Sequence, residues 1–383
     1  MAIFPGESLT DGPCPLLVYS RPGKPNRRAQ PDADAVEDSF DVDQAPLVVF
    51  LPGAIHSARI GYGHDGCAPT DFLGHWITEA GHPFMAISYP VQPRDRIFRT
   101  LDADLGLRTV VEAAGEVIAD HVASAGLPGE VIVVAWSALG NAAPGLNRAL
   151  ARRGVHLSTF VALASTPPLP NLILGSLDAA EGLLGAAEAF DSDGLLRHAA
   201  LRSDDFLAEI EIINATAGRS VLSLDDYRDH YLGDMALHVF PGLEARRVDG
   251  RLQVDHAAPL AESIGAQWAD YPICASIGPT SPTDARHVIT DRANWAMVTA
   301  NVLQWAHVAP AAPRELAPRA WERVRRVCDW FGSELHRTLP GGHFLFVGES
   351  GARATAEAVL DLAATRTTLM KLLDSALSGE AEE

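Results

Sequence analysis

The chain has 383 residues, of which 47% are hydrophobic and 21% are charged, and 49 acidic residues against 30 Lys and Arg give a net charge of −19 at pH 7. A chain of this length can bury a large core in two or three domains, or in one α/β domain with an insertion. A strongly acidic protein repels phosphate backbones and anionic lipid surfaces, and the basic residues form no extended patch, so we expect neither nucleic acid nor a membrane as partner.

The four cysteines are far apart and form no CxxC pair, so the sequence predicts neither a disulfide framework nor a zinc ribbon. The first residues lack the basic and apolar segments of a secretory signal, and no apolar run approaches the roughly 18 residues of a membrane span. We therefore expect a cytoplasmic protein, and we expect no cofactor.

Short apolar runs bounded by glycine or proline stand out along the chain, and they are typical of strands buried on both faces of a parallel sheet. The strongest five lie at residues 47–51, 83–88, 131–136, 159–164 and 271–277. Weaker runs predict an earlier strand at 15–19 and a last strand at 335–339. Helical patterns alternate with these runs at residues 105–125, 142–152, 285–307 and 319–331, and a further helix ends the chain. This alternation predicts an α/β fold with a mostly parallel central sheet flanked by helices.

Two stretches interrupt the alternation. Residues 23–44 are rich in Pro, Asp and Arg, and they predict a mobile loop. Between residues 165 and 270 strands give way to helical patterns at 179–190, 195–213 and 224–237, and an Asp-Gly turn predicts a hairpin between Leu243 and Val254. We interpret 165–270 as a mainly helical cap, inserted into a core that consists of residues 1–164 and 271–383.

Three places on this scaffold point to one chemistry. Ser137 lies where the buried run VIVVAW enters a helical pattern, and a serine on such a turn exposes its hydroxyl at the carboxyl edge of the sheet. The amides of the following helix then face developing negative charge. Ala54 follows Leu-Pro-Gly directly after the first strong strand, which predicts its amide as an oxyanion donor. His343 follows two glycines on a loop after the last predicted strand, which favours a role as general base.

With these motifs the chain resembles the α/β-hydrolase superfamily, and the resemblance extends from about Pro15 to the C-terminal helix. It implies an α/β-hydrolase fold with a cap after the sixth strand, Ser137 as nucleophile and His343 as base. It also implies an oxyanion hole formed by the amides of Ala54 and Ala138.

Two positions depart from the family pattern. Leu139 stands where the G-x-S-x-G elbow has its second glycine, although Ala135 is small and Gly140 follows one place later. Leu51-Pro52 replaces the usual histidine before the glycine of the oxyanion loop.

The acid of a triad should follow the strand at 271–277, because the order Ser, acid, His reflects where successive strands reach the site. Asp284 lies on a Pro-rich loop at that place, and it would orient His343. The same residue could instead be the N-cap of the helix that begins at Ala285. Asp291 is the next choice, and an acid after the sixth strand is a third.

Other motifs carry weaker signals. Residues 61–66 match G-x-G-x-x-G, but they do not follow a strand directly and no acid for a ribose hydroxyl ends the next strand, so we favour a glycine-rich entrance loop over a nucleotide site. His56 and His64 could line the pocket, and we predict substrate contacts for His56 and Trp136.

A possible metal site is the last of these signals. His230, Asp234 and His238 share one face of a predicted helix and could bind a metal, although a solvated face of the cap is favoured.

These residues predict that Ser137 attacks an acyl carbonyl and that water resolves the acyl-enzyme, which is hydrolysis of an ester or lactone. Apolar residues of the cap favour a small hydrophobic substrate: Leu169, Leu172, Ile173, Leu174, Leu177, Leu183 and Leu184. An acyltransferase or thioesterase, a carbon–carbon bond hydrolase, and a binding protein without catalysis stay open as alternatives.

Overall fold

The computed structural model describes residues 3–24, 45–170, 172, 189–201, 203–248, 251–263, 267–311 and 313–378. Most of the loop predicted at 23–44 and of the helix predicted at 179–190 lies outside these residues, as do five of the seven apolar cap residues, from Ile173 to Leu184.

An eight-stranded sheet forms the centre of the described structure. Its strands, in chain order, are β1 (Glu7–Leu9), β2 (Leu17–Arg21), β3 (Leu47–Leu51), β4 (Phe84–Ser88), β5 (Glu130–Trp136), β6 (His156–Leu163), β7 (Cys274–Gly278) and β8 (His336–Thr338). Their order across the sheet is β1-β2-β4-β3-β5-β6-β7-β8. The strands from β4 to β8 in that order run parallel, whereas β1 pairs with β2, and β2 with β4, in antiparallel fashion. The predicted α/β class with a mostly parallel sheet is confirmed.

Seven long helices accompany the sheet in the described residues: α1 (Leu73–Glu79), α2 (Leu107–Ser124), α3 (Ala143–Ala151), α4 (Ser203–Ala217), α5 (Ala285–Val302), α6 (Pro318–Glu334) and α7 (Glu349–Ser378). Helix α2 packs on α3, and α7 packs on both α1 and α6. The α2–α3 contact is close because Gly115 has no side chain, since a Cβ there would lie 2.7 Å from Ala149 Cβ. No helix in the described ranges has the length and apolar character needed to cross a membrane.

The core explains why the apolar runs predicted the strands well. Every residue of β3, β4 and β7 is buried, as expected for strands covered on both faces. Helix α2 buries one stripe at three- and four-residue spacing, which includes Val110, Ala114 and Ile118. The structure adds β1, a three-residue edge strand that the apolar pattern did not predict.

We call the chain between β6 and β7 the cap segment. It contains α4, a hairpin of Ala245–Val248 with Arg251–Val254, and the short helices Leu224–Asp226 and Ala258–Ser263. The hairpin was predicted, and its strand pairing is confirmed. The division into a cap and a two-part core stays a prediction.

The cap segment corrects two predicted helices. The helix predicted at 224–237 ends at Tyr231, because the chain then extends: the Gly233 amide donates to Ile55 O, and Asp234–Met235 pairs with Val91–Gln92. The helix predicted at 195–213 begins only at Ser203, after a 3₁₀ turn, since Leu196 forms a bridge to Met235. His230, Asp234 and His238 therefore do not share a helical face, and the less favoured possibility of a metal site on such a face is excluded.

Candidate active site

The turn after β5 holds Ser137 in a strained conformation. Its φ is +56°, a left-handed value that costs a residue with a side chain roughly 1–3 kcal/mol. The strand ends at Trp136, and a helical turn begins at Ser137 itself, so the hydroxyl stands at the carboxyl edge of the sheet. Gly53 permits the neighbouring loop to approach, because a Cβ on Gly53 would lie 2.8 Å from Ser137 Cβ.

The family glycine that Leu139 replaces is compensated one position later. Leu139 turns its side chain into the core and is 2% exposed. Gly140 lies against the chain that follows β6, where a Cβ would come within 2.5 Å of Thr166 O. The close approach at this elbow therefore depends on Gly140, and the leucine is accommodated.

Ser137, His343 and Asp284 form a continuous chain of hydrogen bonds. The Ser137 hydroxyl lies 2.9 Å from His343 Nε2, and His343 Nδ1 lies 2.8 Å from Asp284 Oδ2. In the neutral tautomer that this geometry favours, Nδ1–H donates to the carboxylate and Nε2 accepts from the hydroxyl. Both side chains of the His–Asp pair are about nine-tenths buried.

The carboxyl of Asp284 serves the histidine and not the helix. Asp284 occupies the N-cap position of α5, but its side chain makes no capping hydrogen bond. Burial raises the pKa of this carboxyl, yet the charge of His343 and the hydrogen bond from it outweigh burial and bring the pKa to about 2. Asp284 is therefore ionised at neutral pH beside the imidazole.

Asp291, the alternative acid, contacts a different histidine. Its Oδ1 lies 2.8 Å from His287 Nδ1, and its Oδ2 accepts from the Ser165 amide at 3.0 Å. Burial raises the pKa of Asp291. The His287 ring lies 5.3 Å from the His343 ring, so a second His–Asp pair adjoins the first.

No family model matches the sequence, and no curated protein matches it. Among solved structures it is similar to a soluble variant of monoglyceride lipase from Saccharomyces cerevisiae, with 10% identity, coverage of 97% of this chain and 96% of that chain, and a TM-score of 0.49. It is also similar to a thioesterase domain from the curacin biosynthetic pathway, with 10% identity, coverage of 92% of this chain and 98% of that chain, and a TM-score of 0.42. An arylesterase is similar with 11% identity, coverage of 94% of this chain and 84% of that chain, and a TM-score of 0.43.

The order and directions of its own strands, with a serine turn after β5 and a histidine loop after β8, decide the architecture. The chain has the α/β-hydrolase fold. The cap segment lies between β6 and β7, where the family resemblance implied an insertion.

In this α/β-hydrolase fold, the loop after β3 lies beside the serine. Tyr89 Oη donates to Gly53 O at 2.7 Å, and His56 Nδ1 lies 2.7 Å from Ala54 O. These bonds hold the carbonyls on both sides of the Ala54 amide, which is the predicted oxyanion donor. Ala138, the second predicted donor, directly follows Ser137 and is buried.

His56 reaches the cavity as a neutral group. Desolvation lowers its pKa to about 3, and Tyr227 Oη lies 2.6 Å from its Nε2. Trp136, for which we predicted a substrate contact, is fully buried, and its Nε1–H donates to His343 O at 3.0 Å. It does not line the cavity, so the indole supports the histidine loop and offers no surface to a substrate.

A cavity of about 540 Å³ opens above the serine. Ser137, His343, Ala54 and His56 form its floor. Much of the remaining wall is apolar and comes from the cap segment: Ala200, Leu201, Phe206, Phe240 and Leu243. Asp205, Glu209 and Arg286 add charged groups. Leu169 and Leu172, the described members of the predicted apolar set, are not among the lining residues.

Helix α4 supplies two contacts that the sequence did not reveal. The Phe206 ring stacks on the His343 ring at 5.5 Å and 15°, and Glu209 Oε2 accepts from the Phe344 amide at 3.2 Å. The two residues are three apart and share one helix face, but more than 130 positions separate them from His343. Only tertiary structure brings them together.

In the glycine-rich run 61–66, for which we favoured an entrance loop, Gly61 has a packing role and none of the six residues lines the cavity. A 3₁₀ turn of Ala58–Gly61 follows β3, and a Cβ on Gly61 would lie 2.6 Å from the Phe50 ring. His64 does not line the cavity, and its Nδ1 lies 2.7 Å from Tyr231 Oη. The strand–turn–helix geometry of a nucleotide site does not occur at this run.

Proposed function

We propose that this protein is a serine hydrolase that cleaves a carboxylic ester or lactone through an acyl-enzyme on Ser137. The supporting observation is the chain of hydrogen bonds from Ser137 Oγ through His343 to Asp284, at 2.9 and 2.8 Å. The base is thus within direct reach of both the nucleophile and the orienting acid, at the floor of a cavity.

In the first half of the reaction, Ser137 Oγ attacks the acyl carbonyl carbon while its proton passes to His343 Nε2. The tetrahedral oxyanion accepts from the amides of Ala54 and Ala138. The intermediate collapses, the bond to the alcohol oxygen breaks, and the imidazolium returns its proton to that oxygen. Asp284 stays ionised throughout and stabilises the imidazolium.

In the second half, His343 takes a proton from water, whose oxygen attacks the acyl-enzyme. The second intermediate releases the carboxylic acid as Ser137 regains its proton. The apolar wall from Leu201, Phe206 and Phe240 favours a small hydrophobic acyl or alcohol group.

A fluorophosphonate probe with peptide mass spectrometry tests the nucleophile. We expect one adduct on Ser137, loss of labelling in Ser137→Ala, and strongly slowed labelling in His343→Ala. Ser124→Ala is the matched control, because Ser124 is exposed on α2 and should not alter labelling. Unchanged labelling of Ser137→Ala would reject the proposal.

A series of p-nitrophenyl esters of rising acyl length then tests hydrolysis. We expect turnover of esters, with kcat/KM rising over short apolar chains until the cavity is filled. A chain that takes the probe on Ser137 but hydrolyses no ester or lactone would instead support acyl transfer or carbon–carbon cleavage.

A further inference from the structure

A second group of chemically active side chains lies away from the serine, where the loop after β3 meets the cap segment. His64 comes from that loop, and Asp226 and His230 come from one helical turn of the cap segment. Each of the three offers one ligand atom, and these atoms lie within 4.8 Å of one another. None of the three side chains lines the cavity above Ser137.

In both histidines Nδ1 has a partner within the protein, so a metal ion would bind at Nε2. His230 Nδ1 lies 3.1 Å from Asp95 Oδ2, so Nδ1 carries the proton and donates to the carboxylate. In His64 the same nitrogen, Nδ1, lies 2.7 Å from Tyr231 Oη and 2.9 Å from Cys67 Sγ. Metal-binding histidines commonly have this second contact, because it fixes the tautomer and leaves Nε2 unprotonated.

The carboxylate is also held in place. Ser223 Oγ donates to Asp226 Oδ2 at 2.6 Å, and Asp226 Oδ1 lies 3.8 Å from His64 Nε2. The two imidazole rings lie 4.7 Å apart at 40°. A tetrahedral zinc ion about 2.1 Å from each ligand requires ligand atoms about 3.4 Å apart, so small side-chain rotations would complete the contact.

We propose that His64, Asp226 and His230 bind a zinc ion that joins the loop after β3 to the cap segment. Two imidazoles and a carboxylate are a ligand set that zinc accepts, with water in the fourth position. Asp226 is 46% exposed, so the ion can enter from solvent, while the His64 side chain is 8% exposed.

The position suggests what the ion does. Tyr227 lies on the same turn as Asp226 and His230, and its hydroxyl contacts His56 beside the active-site cavity. A metal bond across His64 would tie this turn to the core. The ion is thus a structural clamp that holds the cap segment beside the catalytic floor, and it takes no part in acyl chemistry.

Zinc binding to the full chain tests the proposal. After EDTA treatment and dialysis, the protein is equilibrated with Zn²⁺, and bound metal is measured by ICP mass spectrometry beside the thermal midpoint. We expect one zinc per chain and a higher midpoint, with no such effect of Mg²⁺ or Ca²⁺. A wild-type chain that binds less than one zinc ion, or that binds zinc without a rise of the thermal midpoint, would overturn the clamp.

Variants place the ion. His64→Ala and His230→Ala should each weaken zinc binding by at least about tenfold, and Asp95→Asn should weaken it by about 10- to 100-fold through His230. His75→Ala is the matched control, because His75 Nε2 faces Glu79 at the same 3.8 Å but within a single helix. Asp226→Asn keeps the side-chain volume, and a circular dichroism spectrum checks that this variant is folded. Wild-type zinc affinity in both histidine variants would refute the site.

Discussion

Two His–Asp pairs lie side by side in this structure, and their difference shows what makes one of them a candidate catalyst. His343–Asp284 and His287–Asp291 each have an Nδ1–oxygen distance of 2.8 Å, and their rings lie 5.3 Å apart. The other ring nitrogen of His343 faces Ser137 Oγ, whereas that of His287 lies 2.8 Å from an Arg286 nitrogen. A His–Asp pair alone does not make a candidate base. The group that faces the second ring nitrogen, Nε2, decides whether the histidine can act as one.

The two carboxyls differ in the same sense. Contact with His343 outweighs burial and lowers the pKa of Asp284 to about 2, while burial dominates at Asp291 and raises its pKa. The guanidinium of Arg286 donates to His287 Nε2, which leaves Nδ1–H to donate to Asp291. Asp291 also accepts from the Ser165 amide, which ties α5 to the end of β6. We interpret His287–Asp291 as a structural pair.

The largest expected effect separates the two acids. Asp284→Asn should lower kcat by about 10³- to 10⁴-fold, because an amide no longer favours the Nδ1–H tautomer or stabilises the imidazolium. Asp291→Asn should lower kcat by less than about tenfold, since it does not contact His343. Steady-state kinetics on one p-nitrophenyl ester checks both. Equal losses in the two variants would show that the pairs act as one unit.

The pH dependence of stability should differ in sign between the two acids. A lowered native pKa stabilises the fold above the unfolded pKa, so Asp284 should contribute about 2 kcal/mol at neutral pH. That contribution is lost as the pH falls from about 4 towards 2. Asp291 has a raised pKa, so its ionised carboxylate destabilises the fold at neutral pH, and this destabilisation should disappear as the pH falls.

Urea unfolding at a series of acidic pH values, for the wild type, Asp284→Asn and Asp291→Asn, measures these slopes. As the pH falls, the difference in free energy of unfolding that favours the wild type over Asp284→Asn should shrink. The free energy of unfolding of the wild type should rise relative to that of Asp291→Asn. Slopes of the same sign would contradict the assignment of the two carboxyls.

The fold and two of the three candidate triad positions could be predicted because their signals are local. A fully buried strand is an uninterrupted apolar run, and a serine or glycine-flanked histidine at its end is visible in sequence. Asp284 could be only one candidate among several, since an N-cap aspartate and a triad acid look alike. The hydrogen bond to His343, in place of a cap bond, separates the two roles.

The cap segment was less predictable for a physical reason. The apolar pattern at 224–237 fits a helix, but the Gly233 amide finds its partner on Ile55 O, 178 positions away, and the chain extends. Phe206 and Glu209 likewise acquire their roles only from contact with the histidine loop. Tertiary hydrogen bonds overrode local propensity here.

The smallest expected effect compares two of the rings that contact His343, those of Phe206 and His287. Phe206 lines the cavity, so Phe206→Leu should cost about 1 kcal/mol of substrate contact and raise KM roughly fivefold with kcat nearly unchanged. His287 does not line it, so His287→Gln should leave KM unchanged and lower kcat modestly. Kinetics with a short and a longer acyl ester separate the two parameters. If Phe206→Leu lowered kcat while KM stayed constant, the Phe206 ring would position His343 as we expect of the His287 ring. The contrast between the two contacts would then fail.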